Sequence, residues 1–398
     1  LGAVFPFSGN RSGPVLPVFA VQRSFFIMSF TEFDLDPKIQ AGISACGYKE
    51  PTAIQTQAIE PALSGRDVMG LAQTGTGKTA AFVLPILERL MHGKRGRVRS
   101  LILSPTRELA EQTLEHIETL GRRTGLKAVS VYGGVSKGGQ IRKIRSGVDI
   151  VVACPGRLLD LMNDRAVNLS SVEVLVLDEG DRMLDMGFMP DIRKILKHLP
   201  RERQNMLFSA TMPADISRLA NDILVSPARV QVDHEQPLKQ IDQCLYPVKR
   251  IPKPDMLLHL LQEKRGQATL IFTRTKHMAT KLAKRLNTAG LRAKDLQGNM
   301  SQNNRQRVLS GFKKGQFNIL VATDIASRGI DVSRIDHVVN YDMPDTAEAY
   351  THRIGRTGRA DKSGEASTFV EPKNFRLVKI IERAQNQRLP RKTLSTPA

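Results

Sequence analysis

Residues 68–90 bring an apolar run (Val68–Leu71), a glycine- and threonine-rich loop (AQTGTGKT, Ala72–Thr79) and an apolar helical pattern (Ala80–Leu90) into direct succession. A strand that turns through such a loop into a helix is a phosphate cradle, and it commits its surroundings to α/β architecture. Across Thr74, Gly75, Thr76 and Gly77 the two glycines let backbone N–H groups turn inward toward an anion. Lys78 supplies a point charge for β- and γ-phosphates, and the Thr79 hydroxyl is placed for Mg²⁺. Ala72 stands where such loops usually carry their first glycine.

The rest of the chain fits that architecture. Short apolar runs at Ser100–Ser104, Ala128–Val131, Ile150–Ala153, Val174–Leu177 and Met206–Ser209 read as strands, with helical patterns such as Arg107–Leu120 between them. The second half repeats the theme at Ala268–Phe272, Arg292–Leu296, Ile319–Ala322, His337–Asn340 and Glu365–Val370. Alternation of this kind predicts two tandem α/β domains, each a mainly parallel sheet flanked by helices. The expected layout is a disordered extension over 1–27, a first domain over 28–235, a linker over 236–244 and a second domain over 245–385. A short basic tail follows over 386–398. The composition, 41% hydrophobic and 25% charged, excludes a wholly disordered chain. No apolar run of about 18 residues marks a membrane span. Three distant cysteines (Cys46, Cys154, Cys244) fit a reduced, cytoplasmic setting better than a disulfide framework.

A nucleotide triphosphatase also needs a carboxylate for the metal and a group to direct water. The apolar run Val174–Leu177 ends in Asp178-Glu179, which puts both acids at the carboxyl end of a strand, where parallel sheets bind ligands. Asp178 is then the Mg²⁺ residue and Glu179 the water-orienting one. Arg353, Arg356 and Arg359 recur every third residue, a spacing that gathers guanidinium groups on one side of a helical turn.

The loop AQTGTGKT together with Asp178-Glu179-Gly180-Asp181 resembles the DEAD-box ATP-dependent RNA helicases, and the match continues in order over about residues 30–385. Among bacterial subgroups it is most similar to the short RhlE-type enzymes. The resemblance implies two RecA-like domains, ATP and Mg²⁺ as cofactors, and RNA as partner. It assigns adenine recognition to Phe30, Tyr48 and Gln55 and RNA-backbone contacts to Pro105, Thr106, Arg107, Gly134, Arg157, Arg274 and Thr323. Asp181, Ser209 and Thr211, with His352 and Arg353, are the implied couplers of hydrolysis to strand separation. Asp324 is assigned to the ribose, Arg328 to the cleft, and Arg356 and Arg359 to the γ-phosphate as arginine fingers. Gly180 replaces the family's alanine and Cys154 its threonine.

The formal charge is +20, and it is unevenly spread: residues 1–238 carry a net +4 and residues 239–398 a net +16. A balanced nucleotide domain followed by a basic domain fits RNA held largely through its backbone, without sequence preference. Ribosome-assembly or RNA-degradation complexes are the partners this resemblance suggests. A slowly hydrolysing RNA clamp and a DNA translocase on the same core are the rival readings.

Overall fold

The computed structural model describes residues 29–73, 75–232, 241–248, 251–324, 334–358 and 363–393. Residues 1–28, Thr74, Arg328 and Arg359 lie outside the described residues, as does most of the expected linker.

The first domain is built on a seven-stranded parallel sheet. Its strands are β1 (Val68–Leu71), β2 (Ser100–Leu103), β3 (Ala128–Val131), β4 (Ile150–Ala153), β5 (Val174–Asp178), β6 (Gln204–Ser209) and β7 (Ala228–Gln231), in the order β3-β4-β2-β5-β6-β1-β7. The central strands are buried on both faces, so β2, β4, β5 and β6 read as unbroken buried runs. Helices cover the two faces and bury two separate apolar clusters. One contains Phe82, Val176 and Phe208; the other contains Leu101, Leu177 and Ile216.

The second domain repeats the plan with six parallel strands, ordered β10-β11-β9-β12-β13-β8. They are β8 (Ile241–Pro247), β9 (Thr269–Phe272), β10 (Ala293–Leu296), β11 (Ile319–Ala322), β12 (His337–Asn340) and β13 (Gly364–Val370).

Two boundaries differ from the sequence reading. β8 begins at Ile241, so residues 241–244 of the expected linker are strand, paired residue for residue with β13. The expected tail is tied down at its start. Leu389 is buried, Leu245 N–H donates to Pro390 O at 2.8 Å and Lys392 N–H donates to Leu245 O at 2.9 Å. A polar strand start and a proline-containing, basic segment hide these pairings from hydropathy, because backbone hydrogen bonds make them.

Candidate nucleotide and RNA site

Strand order brings the loops of the first domain together. β1, β6 and β5 are neighbours, so the phosphate loop, Ser209–Thr211 and Asp178-Glu179 all leave the same end of adjacent strands. Ala72 N–H donates to Ser209 O at 3.0 Å, which joins two of these loops directly.

The phosphate loop leads into the helix Lys78–Met91. Gly75 and Gly77 have φ of 91° and 93°, a region that costs a side chain dearly. A Cβ on Gly77 would also sit 2.5 Å from Gln55 Nε2. The loop is braced from outside: Thr52 Oγ1 donates to Thr76 O at 2.7 Å and Gln55 Nε2 donates to Gly77 O at 3.0 Å. Lys78 is buried and its Nζ donates to Ala72 O at 2.7 Å, so the ammonium rests on the loop's own backbone. Thr79, Lys78, Asp178 and Glu179 line one cavity of about 280 Å³ with Tyr48, Gln55, Gly75 and Gly77.

Of the adenine-side residues, Tyr48 lines this cavity and Phe30 does not. Phe30 is 3% exposed and lies behind Tyr48, with ring centroids 6.0 Å apart and planes inclined by 24°. Its spacing places it near the site, but its side chain packs in the core. The Gln55 amide is half committed. Its Oε1 accepts from Thr52 N–H at 2.9 Å while its Nε2 holds Gly77 O, so one N–H and one lone pair remain for a base.

Asp178 is buried, and burial pushes its carboxyl up to about 7, against the opposing pull of the Lys78 ammonium. Among the described residues its Oδ1 has no hydrogen-bond partner. A buried carboxylate oxygen left unpaired beside a threonine hydroxyl and a phosphate loop fits Mg²⁺, which takes one or two protein oxygens and completes its shell with phosphate and water. Glu179 has φ 54°, and its Oε2 accepts from Arg182 Nη1 at 2.6 Å, with both groups more than nine-tenths buried.

Asp181 sits at the centre of a closed network. Its Oδ2 accepts from Thr211 N–H at 2.9 Å, Thr211 Oγ1 at 3.0 Å and Ala210 N–H at 3.2 Å. Asp181 N–H donates to Ser209 Oγ at 3.1 Å, and that hydroxyl donates to Thr211 O at 2.7 Å. The structure thus joins three of the five residues expected to couple the two sites.

The second domain meets this network across a cleft. A cavity of about 630 Å³ is lined by Asp181, Arg182 and Thr211 from one side and by Asp324, His352, Arg353 and Arg356 from the other. Burial lowers the His352 pKa, and the Arg182 charge facing it lowers it further. The arginines do not continue one helical face. Arg353 lies in the last turn of the helix Ala347–Ile354, and Arg356 lies past its end. Arg353 grips both Asp324 oxygens at 2.6 Å and also donates to Asn340 Oδ1 and Asp342 O. Arg356 Nε donates to His352 O at 3.3 Å. Asp324, expected at the ribose, is therefore engaged by Arg353 here.

The RNA-backbone candidates cluster less tightly. Thr106 caps the helix Arg107–Leu120, its Oγ1 accepting from Leu109 N–H at 3.3 Å, with Pro105 just before it. The Arg107 guanidinium lies against Gly134, where a Cβ would meet its Nη1 at 2.1 Å. Arg157 donates to Val135 O and Gln140 Oε1 and faces Asp160, so it is engaged in local structure. Arg274 is half-exposed at the end of β9, with Asp345 Oδ1 at 3.2 Å, and Thr323 is half-buried at the end of β11.

One pair escaped the sequence reading. Arg305 Nε and Nη2 donate to Glu108 Oε1 at 2.8 and 2.6 Å, joining the two domains through side chains that are each 8% exposed. Both residues lie inside the motifs PTRELA and QGNMSQNNR, but a gap of 197 positions leaves no local signal that they meet.

Comparison with known proteins agrees with this geometry. A family model described as DEAD/DEAH box helicase matches residues 52–219, and one described as Helicase conserved C-terminal domain matches residues 252–361. The ATP-dependent RNA helicase CshA of Listeria monocytogenes is 43% identical over 361 residues, which is 90% of this chain and 69% of that protein. Saccharomyces cerevisiae Dbp5 bound to RNA and ADP BeF3 superposes with a TM-score of 0.84 at 31% identity, covering 92% of this chain and 96% of that one. Mss116p bound to ssRNA and AMP-PNP gives a TM-score of 0.83 at 28% identity, covering 93% and 79%. These matches do not single out the RhlE-type subgroup. The tandem sheets, the shared cleft and these similarities together show that the chain belongs to the DEAD-box helicase family.

Proposed function

We propose that this chain is an RNA-stimulated ATPase that separates short RNA duplexes, or remodels RNA–protein complexes, by closing its two domains on ATP and RNA. The observation that carries the reading is the shared cleft, where the Asp181 network of the first domain faces His352 and Arg356 of the second. Its arrangement resembles that of Dbp5 solved with RNA and ADP BeF3, which supports a cleft of this shape being the ligand-bound one.

The chemistry follows from the side chains. The inward N–H groups of the phosphate loop bind the triphosphate, and Lys78 exchanges Ala72 O for a phosphate oxygen. Thr79 and Asp178 would hold Mg²⁺, which neutralises charge on the phosphate oxygens when bound. Glu179, held by Arg182, orients the attacking water, and Tyr48 with Gln55 faces the base. Arg356 brings a fixed positive charge from the second domain to the γ-phosphate, and Arg359 is its expected companion. Thr106, Arg107, Arg274 and Thr323 grip sugar and phosphate, so duplexes are recognised with little regard to sequence. The second domain's net +16 supplies the long-range attraction. Within the family, the name CshA recurs among the curated relatives, which supports a CshA-like placement over an RhlE-type one.

Mg²⁺-dependent ATP hydrolysis with no nucleic acid, with single-stranded RNA and with single-stranded DNA tests the reading. RNA should stimulate at least tenfold more than DNA, and Glu179→Gln should abolish the stimulated rate. Equal stimulation by DNA favours a translocase. No stimulation, with wild type and Glu179→Gln alike, refutes the proposal.

A further inference from the structure

β9 and β12 are hydrogen-bonded neighbours, with Phe272 opposite Asn340. β9 runs on to Arg274, an RNA-backbone candidate. β12 runs on through Tyr341–Thr346 into the helix Ala347–Ile354, which carries His352 and Arg353. That connecting segment is held from both sides. On one side the Asp342 carboxylate accepts from the Arg274 N–H at 3.0 Å, and the Arg274 guanidinium donates to Met343 O at 3.3 Å and Asp345 Oδ1 at 3.2 Å. On the other side Asp342 O accepts from Arg353 Nη1 at 2.6 Å, and the same Nη1 donates to Asn340 Oδ1 at 3.1 Å. Asp342 thus holds the RNA candidate with its side chain and the coupling arginine with its backbone.

The junction is stiff on the nucleotide side and loose on the RNA side. Asn340 is fully buried, and its Nδ2 donates to Thr368 Oγ1 at 3.0 Å, so its amide cannot turn from Arg353 without stranding a buried polar group. Arg353 is itself buried, lies over the Phe272 ring at 5.0 Å and grips Asp324. Asp342 is anchored by its N–H to Phe272 O at 3.2 Å and by Lys253 Nζ, 2.6 Å from its Oδ1. The Arg274 guanidinium, by contrast, is exposed, and its carboxylate partner Asp345 is more exposed still. Exposed pairs of this kind are weak, so a phosphate can take their place.

We propose that Asp342 is a positioning residue that links RNA held at Arg274 to the nucleotide side of the cleft through Arg353. It touches neither ligand. RNA on Arg274 fixes the end of β9, and the Asp342 carboxylate passes that order to its own backbone. The Asp342 carbonyl then fixes Arg353, and with it Asp324 and the helix that leads to Arg356. By linkage, nucleotide tightens RNA binding by the factor with which RNA tightens nucleotide binding. The inference rests on the RNA-stimulated ATPase reading and adds to it a residue outside the motifs that carry it. A chain of contacts becomes a coupling path only when breaking it lowers a measured coupling.

The test is fluorescence anisotropy of the full chain with a fluorescein-labelled decameric polyuridine, in AMP-PNP and in ADP. The ratio of the two RNA affinities reads the coupling. Wild type should bind RNA about tenfold or more tighter with AMP-PNP, and Asp342→Ala should reduce that ratio to about threefold or less. Asp342→Asn keeps an acceptor for the Arg274 N–H and should stay within about twofold of the wild-type ratio. A general loss of stability weakens RNA binding in both nucleotide states and leaves the ratio unchanged. Lys253→Met removes the same ion pair without touching Arg274 or Arg353, so it too should keep the wild-type ratio. A wild-type ratio in Asp342→Ala, or an equal loss in Asp342→Asn or Lys253→Met, overturns the inference while the ATPase reading stands. A wild type with neither RNA-stimulated hydrolysis nor a ratio above one would overturn both.

Discussion

Replacing Arg305 with Met removes the guanidinium that neutralises Glu108 and leaves the carboxylate in a space where it is 8% exposed. Leaving one member of a buried pair unpaired costs about 3–5 kcal/mol. The cost need not be borne by folding, because Glu108 and Arg305 belong to different domains. Separation of the domains returns the carboxylate to water. The penalty therefore falls on closure, and its lower bound of about 3 kcal/mol moves the closed-to-open ratio by roughly a hundredfold. The assay is ATP hydrolysis at saturating ATP with titrated single-stranded RNA, alongside a thermal melt of each domain. Arg305→Met should need roughly a hundredfold more RNA for half-maximal rate while its melting temperature stays near wild type. Glu108→Gln/Arg305→Gln, in which neither group is charged, should recover most of that loss. If Arg305→Met lowers the melting temperature and leaves the RNA requirement unchanged, the pair supports a domain rather than closure, and the reasoning fails.

Gly180→Ala restores the family's residue; its Cβ would lie 3.2 Å from Leu207 Cδ1 and 3.7 Å from Ile216 Cδ1. The helical gain of up to about 1 kcal/mol is offset by that tight contact, so turnover and melting temperature should both stay close to wild type. A tenfold rise in turnover would show that the glycine limits catalysis. Cys154 caps the helix Pro155–Asn163 without a side-chain hydrogen bond. Cys154→Thr should add about 1 kcal/mol to the first domain in a denaturant titration, and no gain would mean the hydroxyl cannot reach the helix N–H groups. His337 is buried on β12 beside Ser367, and burial lowers its pKa from 6.5 to about 4. The unfolded chain binds this proton more readily, so stability from His337 is present above pH 6.5 and is lost as the pH falls toward 4, by about 3 kcal/mol in all. Denaturant titrations of the wild type and His337→Gln at pH 7.5 and 5 should show the smaller pH loss in the variant; equal losses would exonerate His337.

The sheets were legible because a strand buried on both faces must be apolar throughout, as Val174–Leu177 and Ile319–Ala322 are. The helix Arg107–Leu120 was legible from its amphipathic period and its Thr106 cap. β7 and β8 were not, since β7 alternates apolar and polar residues, β8 opens on the polar pair Asp242-Gln243, and both owe their place to backbone pairing. At the site, residues placed by adjacent strand ends appeared in the motifs, and so Asp181, Ser209 and Thr211 met as expected. What depends on side-chain direction did not: Phe30 turns into the core behind Tyr48, and the grip of Arg353 on Asp324 has no local sequence signal. The Glu108–Arg305 pair exists only once two domains face each other, and no local pattern encodes that.

The claim at the centre of this account is that the second domain completes a nucleotide site built on the first. The most direct test is RNA-saturated ATP hydrolysis by Arg356→Lys, paired with the affinity of a fluorescent ATP analogue. Lysine keeps the charge and loses the planar fork, and a displaced arginine finger costs about 10³-fold or more in turnover. The account predicts at least a hundredfold loss of turnover with nucleotide affinity within twofold of wild type. Wild-type turnover in Arg356→Lys would contradict it.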